Sequence, residues 1–229
     1  MSQRLVIRLI PIEIFVVCVL AGWLAIGGIR ALINSGNLSS VPAAAQTAVA
    51  GALQGSVQSA AGASPLSPVF TPEVQHWAAK IEGWSALFKL DPNLVATVMQ
   101  IESCGAPNAV SGSGAQGLFQ VMPFHFTAGE DTLDPDTNAA RGLAYLALGL
   151  ARASGDAGLA LAGYNGGHSL IGLDSALWPA QTQRYWYWGT GIYQEAAGGQ
   201  PQSTRLQEWL KSGGASLCAQ AGSQLGLPQ

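Results

Sequence analysis

Charge is scarce in this chain. Asp, Glu, Lys and Arg make up 10% of its 229 residues, against about a quarter in an average soluble domain. The first 70 residues hold only Arg4, Arg8, Glu13 and Arg30. Ten basic residues lie scattered under a formal net charge of −3, so the clustered Lys and Arg that phosphate backbones require are missing, and nucleic acid is excluded as a partner. Cysteine is limited to Cys18, Cys104 and Cys218, and no Cys–His spacing suits zinc. His76, His125 and His168 have no partner at ligand spacing and read as surface or structural side chains. No Gly-x-Ser-x-Gly elbow is present, which removes the basic signature of a serine hydrolase. Gly112, Gly114 and Gly117 match a dinucleotide-type glycine spacing, but the segment follows a helical pattern and no βαβ unit surrounds it. Neither a metal nor a cofactor is expected.

What is present falls into unlike segments. Residues 14–29 carry no charge, and apolar character continues from Leu9 to Ile33. Sixteen helical residues span about 24 Å against a hydrocarbon core of about 30 Å, so a membrane helix here must use its flanks. Arg4 and Arg8 precede this span and only Arg30 follows closely, which favours a cytoplasmic N-terminus and an exported remainder. The expectation is a single-pass anchor in the cytoplasmic membrane, residues 1–33, contacting lipid through residues 9–33. A signal peptide cleaved near Ala43, Ala44 and Ala45 is the competing reading, and it exports the rest equally. Residues 34–70 hold no charge and are rich in Ala, Ser, Gly, Gln and Pro, the composition of a flexible tether. An Ala-rich helix over 43–57 is the alternative.

The folded part is expected from Thr71, where Thr-Pro-Glu offers an N-cap and a first-turn proline. Val74, Trp77, Ile81, Trp84 and Phe88 then form one helical stripe. Asp91-Pro92 repeats the start signal. Further helical patterns run over 137–153, 156–164, 181–196, 204–212 and 215–225, with no strand-like alternation of useful length, so the fold class is all-α or mainly α. In the helix opening at Asp91, Leu94, Val95, Val98 and Ile101 form the apolar face. Glu102 falls four residues after Val98 and seven after Val95, continuing that face. Burial of a carboxyl without a charged partner raises its pKa, which a general acid requires. A Glu turned out to solvent at the helix end fits the periodicity equally well.

The surrounding motifs separate these readings. Glu102-Ser103 is followed by GAQGLFQVMP over 114–123, by Asn138 in a helix start, by Gly163-Tyr164-Asn165-Gly166-Gly167 and by Gln181-Thr182-Gln183-Arg184-Tyr185. In that order they resemble the catalytic domain of lytic transglycosylases of the soluble (SLT) type, in the lysozyme-like superfamily, over residues 72–197. The resemblance implies a mainly α-helical domain at 71–200 with a glycan groove, leaving 201–229 as a helical extension. It implies peptidoglycan glycan strands as partner and substrate, and cleavage between N-acetylmuramic acid and N-acetylglucosamine with a 1,6-anhydro end. Glu102 matches the single catalytic acid and base. Ser103 would support it or bind sugar, Gly117, Leu118, Phe119 and Gln120 would line the groove, and Tyr164 and Asn165 would hold the acetamido region. Tyr185 matches the late tyrosine.

Four departures stand out: Phe119 where Met is usual, Gly163 for Ala, Gln181 for Glu, and Cys104-Gly105 directly after Glu-Ser. In an exported domain a Cys104–Cys218 disulfide is chemically permitted, and two unpaired buried thiols are the other reading. The stretch 178–193 holds six aromatic residues. Tyr185, Trp188 and Ile192 fit a buried stripe, whereas Trp186 and Tyr187 are expected to face solvent and stack on sugar. Two rivals remain. A goose-type lysozyme-like hydrolase would need a second carboxylate, for which Asp131, Asp134 and Asp136 are the nearby candidates; a glycan-binding envelope protein would need no chemistry.

Overall fold

The computed structural model describes residues 66–228. The expected anchor, Cys18, the possible helix at 43–57 and the tether up to residue 65 lie outside the described residues. The described chain forms α1 (Pro72–Gln75), α2 (Ala78–Phe88), α3 (Pro92–Glu102), α4 (Pro135–Arg152), α5 (Ala157–Gly166), α6 (Ala180–Ala197), α7 (Thr204–Trp209) and α8 (Ala215–Leu225). Short 3-10 turns occupy Pro123–His125, His168–Leu170 and Ser175–Leu177, and a π turn at Leu210–Gly214 joins α7 to α8. Among the described residues, β-type pairing is limited to single antiparallel bridges, Val110 with Gln116 and Gln116 with Val121. The fold is therefore mainly α, and none of the described helices is long and apolar enough to cross a membrane.

Helix starts follow side-chain chemistry. Asp91 accepts from Asn93 N at 2.7 Å, Asp134 from Thr137 N at 2.8 Å, Asp156 from Leu159 N at 2.8 Å and Ser203 from Leu206 N at 2.9 Å. Each such bond satisfies a backbone donor that the first helical turn leaves free. Thr71 differs from expectation. Its side chain makes no cap bond, and its N–H and hydroxyl both turn to Gln100 Oε1. The single helix expected from Thr71 to Phe88 is also broken at His76 and Trp77. Trp77 leaves helical geometry, its indole N–H donates to Gly105 O at 2.9 Å, and its ring stacks on Trp84.

Helix α3 is the centre of the molecule. Every residue from Pro92 to Gln100 is buried, as befits a helix enclosed on all sides. Two of its polar side chains reach the preceding segment: Asn93 Oδ1 accepts from Ser67 N at 2.8 Å, and Gln100 Oε1 accepts from Thr71. These bonds hold residues 66–70 against the domain, with Ser67 and Phe70 buried. The expected tether boundary at residue 70 thus falls inside the packed body. The expected extension 201–229 is likewise no appendage, because Leu206, Trp209, Cys218 and Ala221 belong to the same apolar core as α3.

Cys104 and Cys218 form a disulfide that ties the end of α3 to α8 across 114 residues of sequence. A bridge closing so long a loop contributes chiefly by restricting the unfolded chain. Cys218→Ser is expected to lower unfolding stability by about 2–5 kcal/mol, read by denaturant unfolding of the full chain in detergent. Reductant should bring the parent protein to the same midpoint and leave the variant unmoved.

Candidate active site

The site begins with how α3 ends. Ser103 leaves helical geometry, Cys104 has φ 51° and Gly105 has φ 85°. A β-carbon at Gly105 would lie 2.8 Å from Glu73 O, so this left-handed turn has room only for glycine. Ser103 Oγ donates to Leu118 O at 2.7 Å and accepts from Gly105 N at 3.1 Å. The turn is buried, and it sets Glu102 at the last helical position.

Glu102 is half-buried, with no basic side chain bonded to it among the described residues. Burial pushes its carboxyl from 4.5 up to about 8, opposed only by the nearby Tyr185 hydroxyl, which favours the charged form. That hydroxyl is itself buried and lacks a partner at hydrogen-bonding geometry. On the other flank, Tyr164 donates to Phe119 O at 2.7 Å. Burial and the neighbouring Glu102 raise both phenols well above their ordinary range, so they remain neutral. The outcome is a carboxylic acid that keeps its proton at neutral pH, beside two neutral phenols.

Beside this acid opens a cleft of about 300 Å³, walled by Gln120, Met122, His125, Tyr145, Tyr164 and Asn165 among others. Glu102 is not part of that wall and meets the cleft through Tyr164. Gln120 holds φ 46°, and its amide donates to Ala109 O and Gly117 O. Asn165 Oδ1 accepts from the buried Thr182 hydroxyl at 3.0 Å, which orients the amide. Of the residues expected at the groove, then, Gln120, Tyr164 and Asn165 line the cleft, with Glu102 and Tyr185 adjoining.

Ser103, Gly117, Leu118 and Phe119 do not line it. Ser103, Leu118 and Phe119 are fully enclosed, and this part of the expectation is corrected: they build the back of the site. Phe119 packs edge-on against Trp84 while its backbone carbonyl receives Tyr164. Asn138, buried in α4, clamps the same loop, accepting from Phe119 N at 2.9 Å and donating to Gln116 O and Thr132 O. Gly117, at φ 73°, passes so near that a β-carbon would meet Asn138 Nδ2 at 2.4 Å. Ser103 serves Glu102 by holding its helix end.

The sequence reading assigns no groove role to Met122, Phe124, His125 or Tyr145, which also line the cleft. Phe124 is 74% exposed, a large apolar ring at the mouth. Tyr145 stacks on His168 at 3.9 Å and lies 5.0 Å from His125. Asn138, Gly142 and Tyr145 occupy one face of α4 at four- and three-residue steps, a signal present in the sequence. His168 is buried behind Tyr145, next to Arg152, and both burial and that cation lower its pKa. Gly163, where Ala is usual, lies against Ile171: a β-carbon there would come within 2.7 Å of Ile171 Cδ1, and that side chain would have to shift.

The other carboxylates near this region are engaged elsewhere. Asp134 caps α4, Asp136 pairs with Lys80 and Trp84, and Asp131 accepts from Leu133 N. The one cluster of potential metal ligands among the described residues is Glu73, Cys104 and Cys218, whose sulfurs are joined to each other. On α6, Tyr185 and Ile192 are buried and Trp188 half-buried, while Trp186 is 36% and Tyr187 47% exposed. Tyr187 is covered on one face by Arg205 at 3.7 Å.

The raised pKa of Glu102 has a thermodynamic sign. A folded value near 8 against 4.5 unfolded means that the folded state holds its proton more tightly. The associated stability is complete below about pH 4.5 and is lost as pH rises through 8. Glu102→Gln is therefore expected to be more stable than the parent at pH 9, by on the order of 2 kcal/mol, with the difference shrinking toward pH 5. Thermal unfolding of both proteins across that range checks it.

Comparisons with known proteins bear on residues around this site. The model of the transglycosylase SLT domain matches residues 80–180. A transglycosylase of Enterobacteria phage PRD1 is 42% identical over 113 residues, covering 48% of this chain and 40% of that protein. An endo-type membrane-bound lytic murein transglycosylase A of Klebsiella pneumoniae is 32% identical over 102 residues, 36% of this chain and 49% of its own length. The chain thus spans less than half the length of these relatives. A crystal structure of an inactive mutant of lytic transglycosylase Slt from Pseudomonas aeruginosa aligns with TM-score 0.39 and 21% identity, over 66% of this chain and 24% of that one. The matched segment contains α3, its terminal turn, the 114–123 loop and α5, and over it this chain is similar to the transglycosylase SLT domain family.

Proposed function

We propose that this chain is a peptidoglycan lytic transglycosylase, anchored in the cytoplasmic membrane through residues 9–33, with its catalytic domain on the outer face. The observation that carries the reading is Glu102: a carboxyl at a fixed helix end, held protonated near neutral pH by burial and flanked by Tyr164 and Tyr185. The match of residues 80–180 to the transglycosylase SLT domain and the names of the matched relatives support the substrate class, and the words membrane-bound in one of those names support the anchor.

In this mechanism Glu102 gives its proton to the oxygen that links the anomeric carbon of N-acetylmuramic acid to N-acetylglucosamine. The bond from that carbon to oxygen breaks, and the 2-acetamido group stabilises the developing cation, which removes the need for a second carboxylate. The ionised Glu102 then accepts a proton from the muramic acid 6-hydroxyl as that oxygen closes on the anomeric carbon. The product is a 1,6-anhydro end, and the acid is regenerated. Asp131, Asp134 and Asp136 have other partners, which supports one carboxylate acting alone.

Mass spectrometry of fragments released from purified peptidoglycan by the full chain in detergent tests the reaction. Fragments lighter by one water than hydrolysis products are expected, and Glu102→Gln should reduce their release by about 10²–10⁴-fold. Hydrated ends would identify a hydrolase instead; binding without fragments would identify a glycan-binding protein. Because the working form is protonated, turnover is expected to fall as pH rises through about 8, visible in a rate profile between pH 5 and 10.

A further inference from the structure

A second cavity, of about 670 Å³, shares no residue with the cleft beside Glu102. Its volume lies within the ~300–1,000 Å³ typical of small-molecule sites. It opens between the start of α5 and the stripe of α6 that carries Trp186, Thr190 and Tyr193, with Trp178 and Leu173 completing the wall. Tyr185 and Ile192 of α6 point into the core, so this helix serves the core and this cavity with different faces.

The walls combine two kinds of chemistry. Trp178 is buried, donates its indole N–H to Leu170 O at 3.1 Å, and meets Trp186 edge to face at 6.0 Å, which fixes the plane of the more exposed indole. Polar atoms converge beside it. A β-carbon placed on Gly158 would lie 3.1 Å from Thr190 Oγ1, 3.1 Å from Trp186 Nε1 and 3.2 Å from Asp156 Oδ1. Thr190 Oγ1 is buried and has no hydrogen-bond partner, an unusual state for a hydroxyl that water does not reach. Asp156 already accepts the α5 backbone and repels anions from that helix start. A ligand for this cavity needs an apolar face for the indole, and neutral hydroxyl or amide groups that both donate and accept.

The geometry points to an accessory saccharide site: a pyranose ring stacks on Trp186 while its hydroxyl or acetamido groups reach Trp186 Nε1 and Asp156. The site rests on the glycan reading proposed above and extends it, since it would hold a strand at a point separate from where the strand is cut. Substitutions here leave Glu102, Tyr164 and Tyr185 untouched.

The test uses the full chain carrying Glu102→Gln, in detergent, titrated with the N-acetylglucosamine tetrasaccharide and followed by NMR of tryptophan indole and backbone amide resonances. The Trp178 and Trp186 indoles are expected to shift with the sugar. Adding Trp186→Ala should weaken the Trp178 response at least tenfold, and the amide shifts of Gln120 and Asn165 should persist. Shifts at Gln120 and Asn165 with motionless indoles would overturn the accessory site alone. No shift at any of these positions would overturn the glycan reading and the accessory site together.

Discussion

Everything functional in this domain depends on the way α3 stops. A helix end leaves four backbone carbonyls without internal partners and normally frays. Here the terminal turn is gripped from every side: Ser103 by Leu118, the Gly105 carbonyl by the Trp77 indole, Cys104 by Cys218, and Gly105 by the backbone of Glu73. Two residues in left-handed geometry are tolerated because these contacts outweigh the local strain. Glu102 is thus held by its backbone, and its side chain needs no ion pair to stay in place.

That freedom from pairing shapes the electrostatics. A salt bridge would have positioned the carboxylate but would also have lowered its pKa. Surrounding it with apolar stem, Tyr164 and Tyr185 does the reverse. Tyr164 is tied to the Phe119 carbonyl, whereas the Tyr185 hydroxyl is left without a bond. The first phenol is a fixed wall; the second is a donor in reserve for whichever form of Glu102 carries negative charge.

Much of this was legible from residue order and spacing. Asp91-Pro92 announces α3, the patterns over 137–153 and 156–164 locate α4 and α5, and the motifs around Glu102 single it out where periodicity alone leaves its exposure open. Three things were not legible. The break at His76–Trp77 follows from an indole reaching Gly105, a tertiary bond that no local pattern encodes. The roles of Leu118 and Phe119 were misread because a loop motif does not say which groups face the ligand; this loop turns its side chains into the core and offers a carbonyl to Tyr164. Tyr145 and His125 were missed because each belongs to a different segment, and only packing of the 3-10 turn against α4 unites them.

The bridge from Cys104 to Cys218 separates two meanings of the word domain. Similarity to relatives marks out residues 80–180. The grip on α3, however, draws on Glu73 and Trp77 before that segment and on Cys218 well after it. A fragment trimmed to the recognisable stretch would keep its motifs around Glu102 and lose three of the contacts that hold the helix end. For this molecule the unit that evolution displays is smaller than the unit that folding requires.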